Sequence, residues 1–178
     1  DGPPQGRPLE RRRRRGGRLA PVVREARYHE TLEDGRVRCT LCPRDCRLRD
    51  GQAGFCFVRE NRAGKLVTTA WGRSTGFAVD PVEKKPLAHY LPGSTVLSFG
   101  TAGCNLGCRF CQNWDISKAR LSERRAEDDW TPERVVALAR RAGTPGIAFT
   151  YNDPVIWAEY AIDVARAAHA AGLYTAFV

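Results

Sequence analysis

The chain has 178 residues, of which 42% are hydrophobic and 28% charged, and it carries a formal net charge of +9. This composition predicts a soluble globular protein. No stretch approaches the roughly 20 apolar residues of a membrane span, and no charged segment precedes an apolar signal core, so we exclude a membrane partner and expect a cytoplasmic protein.

The two ends of the chain are unusual. Residues 1–26 combine Gly and Pro with the run Arg11–Arg15. So few apolar side chains cannot offset the entropy of ordering the backbone, and we predict a disordered basic tail. A nucleic-acid partner is not favoured, because no aromatic residue interleaves the arginines. The chain lacks methionine and residues 173–178 read as an interrupted strand, so we expect a segment of a longer protein.

Residues 27–72 are predicted to form a small β-rich module. Apolar and polar residues alternate there with the period of two that is typical of strands, and turn-forming residues separate the alternating segments. The predicted hairpins pair 28–32 with 37–41 around Asp34 and Gly35, and 55–59 with 66–70 around residues 61–64.

Residues 73–94 are interpreted as a connector, and residues 95–178 as a β-α-β-α-β unit with a parallel sheet. A helix is expected to begin with Thr131 as N-cap and Pro132 at the first helical position, and to end at Gly143. A second helix is expected from Pro154 to Gly172. The predicted strands are 96–99, 146–150 and 173–178.

Three cysteines follow the first of these strands, at Cys104, Cys108 and Cys111. Ligands of α/β proteins bind at the carboxyl ends of parallel strands, and thiolates are the usual ligands of iron–sulfur clusters. Three thiolates would leave one iron of a four-iron cluster open. A zinc site would need a fourth ligand from elsewhere, for which His89 is a candidate.

The spacing C-x3-C-x2-C with an aromatic residue before the third cysteine resembles the radical S-adenosylmethionine (SAM) signature. GCNLGCRFCQNW at 103–114 is similar to the group related to pyruvate formate-lyase activating enzymes. The segments at 80–94, 130–136 and 150–157 resemble the radical SAM member of the AmmeMemoRadiSam system. The resemblance implies an α/β fold, the first half of a partial (β/α)6 radical SAM barrel, preceded by the β-rich cysteine module.

The resemblance also implies the activity. A [4Fe-4S] cluster on the three cysteines would bind SAM and cleave it to methionine and a 5′-deoxyadenosyl radical, which takes hydrogen from a protein or small substrate, as in glycyl-radical activases. Reduced flavodoxin or ferredoxin would supply the electron. By the same resemblance Phe110 would lie near the adenine, or simply fill the core. Asn152 and Asp153 stand where relatives bind the SAM amino group, although Asp replaces the usual Glu and would also suit a helix N-terminus.

Four further cysteines lie in the β-rich module, at Cys39, Cys42, Cys46 and Cys56. Four thiols so close in sequence predict one metal site, holding either structural zinc, a rubredoxin-like iron or an auxiliary cluster, with unligated thiols as the alternative.

Two other hypotheses stay open. The four-cysteine module and arginine tail could form a zinc-dependent nucleic-acid-binding module, or the chain could be an iron–sulfur electron-transfer protein. Lys84, Lys85 and His89 could meet an anionic substrate or the SAM carboxylate, but we favour a solvated connector at these positions.

Overall fold

The structure is a computed structural model that describes residues 23–120 and 130–178. Of the basic tail predicted to be disordered, residues 1–26, only residues 23–26 are described, and the run Arg11–Arg15 lies outside the described residues. Over the described residues the strands are β1 (Arg24–Glu25), β2 (His29–Thr31), β3 (Val37–Cys39), β4 (Arg47–Leu48), β5 (Arg59–Arg62), β6 (Lys65–Thr68), β7 (Phe77–Pro81), β8 (Thr95–Phe99), β9 (Gly146–Phe149) and β10 (Tyr174–Phe177), and the helices are α1 (Trp114–Ser117), α2 (Pro132–Arg141) and α3 (Ala158–Ala170).

The N-terminal half contains two small antiparallel sheets, ordered β1-β6-β5 and β2-β3-β4. The first predicted hairpin is present, with His29 opposite Cys39 and Thr31 opposite Val37. Val37 and Cys39 are buried on one face of β3 while Arg38 between them is half-buried. The alternation seen in the sequence therefore corresponds to burial against the module's own core.

The second hairpin is displaced from its prediction. β5 begins at Arg59 instead of Phe55, and a two-residue turn at Ala63 and Gly64 connects it to β6. Both turn residues have positive φ, 50° and 80°, the backbone that suits a two-residue hairpin. The predicted strand at 55–59 is wrong because the chain turns there, with the Phe57 amide donating to the Gly54 carbonyl.

The predicted tail also extends too far. Arg24 and Glu25 form β1, which pairs antiparallel with β6. Ala26 is buried, and the Arg24 guanidinium lies 3.2 Å from the centre of the Trp71 ring. Backbone pairing and these two contacts order a segment whose composition alone predicts disorder.

The C-terminal half is a four-stranded sheet in the order β10-β9-β8-β7. β8, β9 and β10 are parallel, as predicted. β7 runs antiparallel to β8 and occupies residues 77–81 of the predicted connector, where no strand was predicted. The sheet and its helices support an α/β unit, while closure into a barrel stays a prediction.

The helices begin and end near the predicted residues. The Thr131 side chain caps α2 by accepting from the Arg134 amide, and the chain leaves this helix at Gly143 with φ +67°. α3 is preceded by a 3-10 turn at Pro154–Trp157, which the sequence pattern did not separate from it. The short helix α1 was not predicted. No helix in the described residues is long and apolar enough to cross a membrane.

One main core lies between the four-stranded sheet and the helices, and a smaller one lies inside the cysteine module. Phe99, Phe149, Trp157 and Tyr160 are the large buried side chains of the main core, with ring centres 5.3–6.1 Å apart among neighbours. Aromatic side chains bury large apolar areas, so this group contributes much of the packing under the sheet.

A buried ion pair joins the cysteine module to this core. The Arg59 guanidinium on β5 donates to both carboxylate oxygens of Glu159 on α3, at 2.9 and 2.8 Å. The two side chains are 2% and 6% exposed. The remaining donors of Arg59 contact the Arg27 carbonyl and, at 3.3 Å, the Cys39 sulfur. Every polar group of the pair is thus satisfied between two layers of the structure.

We predict that Glu159→Ala lowers the free energy of unfolding by about 3–5 kcal/mol, because it leaves Arg59 charged and unpaired in the interior. Glu30→Ala is the control, since Glu30 pairs with Arg38 on the surface and such pairs contribute about 0–1 kcal/mol. Urea denaturation measures both. Equal losses in the two variants would contradict a special role for the buried pair.

Candidate functional site

The carboxyl ends of the three parallel strands open into one cavity of about 340 Å³. The cysteine loop follows β8, residues 150–153 follow β9, and Val178 follows β10. The position agrees with the expectation that ligands bind beyond the carboxyl ends of parallel strands. The lining residues include Cys104, Cys108, Cys111, Ser117, Lys118, Thr150, Tyr151, Asn152 and Asp153.

All three predicted cluster cysteines line this cavity. Cys104 is buried, Cys111 is half-buried and Cys108 is exposed. The Cys104 sulfur lies 3.4 Å from the Leu106 amide and 3.5 Å from the Asp153 amide, both of which donate to it. Two backbone amides thus hold the Cys104 sulfur in place beside the cavity.

The donor set of three thiolates fits a four-iron cluster. Within residues 23–120 and 130–178 no three His, Cys, Asp or Glu side chains converge as ligands of one metal ion. A four-iron cluster attaches each thiolate to a different iron, so its ligands surround a volume and need not meet at a point. Three cysteines around a cavity of this size satisfy that requirement.

Asn152 holds the cysteine loop in place. Its amide group donates to the Gly103 carbonyl at 2.7 Å, and its side-chain oxygen accepts from the Thr101 amide and the Trp157 indole, both at 3.3 Å. Asn152 is 5% exposed. Since both ends of the side chain are engaged by protein, Asn152 positions the loop; its predicted contact with SAM is not tested.

Asp153 caps the turn before α3 and also lines the cavity. One carboxylate oxygen accepts from the Val155 amide at 3.0 Å and caps the 3-10 turn before α3. The residue nevertheless lines the cavity beside Cys104. The helix-capping alternative is therefore present, and the contact with the SAM amino group stays a prediction.

Phe110 is 87% exposed and is not among the residues that line the cavity. It does not fill the core beside the loop, which excludes the structural alternative, and its predicted contact with adenine stays a prediction. Leu106 and Trp114 are also exposed, at 50% and 67%. Residues 106–114 thus expose three large apolar side chains, of which Leu106 lines the cavity.

Sequence analysis missed a buried polar cluster beside the cavity. Asp80 on β7 accepts from Lys84 at 2.8 Å, from Lys85 at 2.7 Å and from the Tyr151 hydroxyl at 2.7 Å. Burial disfavours the Asp80 carboxylate, but the three donors outweigh it and hold its pKa well below the usual range. Burial and the hydrogen bond to Asp80 raise the pKa of Tyr151 above its usual value.

The interpretation of Lys84 and Lys85 as a solvated pair is therefore wrong for Lys85, which is 3% exposed. The sequence distance of 71 residues between Asp80 and Tyr151 concealed their contact. His89 is exposed and does not line either described cavity. The structure thus gives no support to His89 as a fourth zinc ligand.

Cys39, Cys42, Cys46 and Cys56 line a second, enclosed cavity of about 20 Å³. Cys39 and Cys56 are buried and the other two are half-buried. Burial raises the pKa of the Cys56 thiol to about 11, although the Val58 and Arg59 amides oppose the shift. The structure brings the four predicted ligands to one place, without the convergence of a formed ion site.

A family match found by comparison with known proteins covers the residues that line the first cavity. Residues 99–178, which include all three cluster cysteines and residues 150–153, match the family described as the Radical SAM superfamily. An uncharacterized protein of Methanocaldococcus jannaschii is 40% identical over 156 residues, which are 88% of this chain and 46% of the relative. The chain thus spans about half the length of that relative. No solved structure matches the chain.

We predict that Gly103→Ala disrupts the cysteine loop. Gly103 has φ +87°, and a β-carbon there would overlap the Cys56 carbonyl oxygen. A non-glycine residue with this backbone costs about 1–3 kcal/mol before the overlap is counted, so we expect a clear fall in melting temperature. Gly107→Ala is the control, since its nearest neighbours would be 3.9 Å away. A Gly103→Ala variant as stable as Gly107→Ala would contradict the close approach.

Proposed function

We propose that the protein is a radical SAM enzyme whose [4Fe-4S] cluster is held by Cys104, Cys108 and Cys111. The observation that carries this proposal is the shared position of the three cysteines on one cavity at the carboxyl ends of the parallel strands. When bound, the cluster would pass one electron to SAM, whose cleavage gives methionine and a 5′-deoxyadenosyl radical.

The chain's own residues would bind and orient these groups. Cys104, with its two amide donors, is the most deeply buried ligand and would fix one corner of the cluster. The second carboxylate oxygen of Asp153, which does not cap the turn, would accept a hydrogen bond from the SAM ammonium group. Asn152 would keep the loop in register, and the surrounding walls would exclude water, which protects a reactive radical.

We propose an acidic one-electron donor of the flavodoxin or ferredoxin class. Phe110 and Trp114 are exposed and lie close in sequence to the three cysteines. The exposed Arg109 and Lys118 lie in the same stretch of chain. Apolar contact with cationic surroundings suits a transient complex with an acidic partner.

The substrate is proposed to be a protein or small molecule that gives up a hydrogen atom to the adenosyl radical, as glycyl-radical proteins do. Kinship with the AmmeMemoRadiSam system and with pyruvate formate-lyase activating enzymes belongs to the same proposal. It is supported by the sequence motifs at 80–94, 103–114 and 150–157, which frame the cavity and its buried polar cluster.

Low-temperature EPR of the anaerobically reconstituted, reduced protein tests the proposal. We expect a [4Fe-4S]+ signal that shifts when SAM is added and that disappears when Cys104, Cys108 and Cys111 are all changed to Ala. The same triple variant controls for iron bound elsewhere. A signal that SAM leaves unchanged would contradict the proposal and favour electron transfer.

We further propose that Cys39, Cys42, Cys46 and Cys56 bind one metal ion as four thiolates. The support is the cavity that all four cysteines line, because four thiolates in one place are the ligand set of a single zinc or iron ion. The Arg59 donor on Cys39 and the amides near Cys56 would offset the thiolate charge. Small side-chain rotations would bring the four sulfurs together around zinc or a rubredoxin-like iron.

Metal analysis distinguishes these alternatives. We expect about one equivalent of zinc or iron that is retained in the Cys104, Cys108 and Cys111 triple variant and lost in a Cys39→Ser, Cys56→Ser double variant. Loss of this ion should lower the melting temperature. Four additional irons with sulfide would indicate an auxiliary cluster, and the absence of any metal would indicate unligated thiols; either result contradicts a single-ion site.

A further inference from the structure

The segment that follows β9 bridges two parts of the site. Tyr151 reaches back to Asp80 on β7, Asn152 clamps the Gly103 carbonyl, and the Asp153 amide donates to the Cys104 sulfur. Three consecutive residues thus connect a buried carboxylate to the cysteine loop. All three also line the cavity.

The backbone of this segment is held in an unfavourable conformation. Tyr151 has φ +72°, in the left-handed region that residues with a side chain rarely adopt. Such a conformation persists only when surrounding contacts fix it, and it occurs most often at functional sites. Contacts that hold Tyr151 include its hydroxyl's hydrogen bond to Asp80 and the Lys85 ammonium, which lies 4.8 Å from the centre of its ring.

Asp80 is itself fixed on both sides. One oxygen accepts from Lys84, whose side chain is 60% exposed, and the other accepts from both Lys85 and Tyr151. Asp80 and Lys85 are 2% and 3% exposed, so their charges face each other out of water. A hydrogen bond to a buried, ionised carboxylate is stronger than one between neutral groups. Asp80 therefore offers Tyr151 a rigid anchor.

We propose that Asp80 and Lys85 are positioning residues for the SAM site, which act through Tyr151 to set the backbone of residues 151–153. This inference rests on the proposed function, because it concerns the same cavity and the same cofactor. The anchored Tyr151 hydroxyl determines the left-handed turn, and the turn determines where Asn152 meets the loop and where the Asp153 carboxylate stands. None of these steps needs Asp80 or Lys85 to touch SAM.

The variants are Tyr151→Phe, which removes only the anchored hydroxyl, and Asp80→Asn, which removes the charge. Lys84→Ala is the matched control, since it removes a contact to the same carboxylate from the solvent side. Should Asp80→Asn fail to fold because it leaves Lys85 buried and unpaired, Tyr151→Phe still tests the inference. All variants are made in the full-length protein.

Two readouts are compared with the wild type. In the iron-free protein, hydrogen exchange of the amides at 151–153 should become faster in both variants and stay unchanged in the control. In the reconstituted protein, the SAM dissociation constant, obtained from the EPR shift, should rise at least about tenfold, while iron content stays at the wild-type level. A solely structural role would lower stability and iron content together without changing SAM affinity in the protein that remains loaded.

The outcomes separate the inference from the function on which it rests. A wild-type cluster that responds to SAM, with variants of unchanged exchange and unchanged SAM affinity, would overturn the inference alone. A wild-type cluster that ignores SAM would overturn the proposed function and, with it, the assignment of these residues to a SAM site. Faster exchange with weaker SAM binding, confined to Tyr151→Phe and Asp80→Asn, would establish the positioning role.

Discussion

The buried pair of Arg59 and Glu159 is the interaction on which the arrangement of this protein depends. Arg59 belongs to the cysteine module and Glu159 to a helix that covers the four-stranded sheet, so the pair fixes one unit against the other. A charge pair in the interior is tolerated only when its geometry and remaining hydrogen bonds are good. Here the Arg59 guanidinium also contacts the Cys39 sulfur and the Arg27 carbonyl. The same side chain therefore connects the proposed metal site to the contact between the cysteine module and α3.

The cysteine module also contacts the loop that carries Cys104, Cys108 and Cys111. Gly103 packs against the Cys56 carbonyl so closely that no side chain fits between them. Arg44 in the module donates to the Asn105 carbonyl in the loop at 2.8 Å. The loop that presents Cys104 is therefore held between the four-cysteine module on one side and Asn152 on the other. The two cysteine groups, which lie far apart in the sequence, become neighbouring parts of one structure.

Buried polar groups recur around the site because the cysteine loop, residues 100–113, forms neither strand nor helix. Its backbone amides and carbonyls must find partners, since an unpaired buried polar group is costly. Asn152 supplies partners to the loop, and Asp80 fixes the strand end that carries Asn152. The cavity thus owes its shape to hydrogen bonds, while the aromatic core beneath the sheet supplies the stability that these bonds require.

The sequence by itself determined the local elements and the ligand types. Helix α2 could be predicted from Thr131 and Pro132, the parallel strands from short apolar runs, and the proposed cluster ligands from the spacing of Cys104, Cys108 and Cys111. These signals depend on neighbours along the chain. It misplaced β5, missed β7 and treated Lys85 as solvated. Those features depend on partners far away: β7 exists because β8 offers it an open edge, and Lys85 is buried because Asp80 and Tyr151 meet there. Only the tertiary structure decided them, since contacts between distant residues outweigh the weak local preferences of the segments involved.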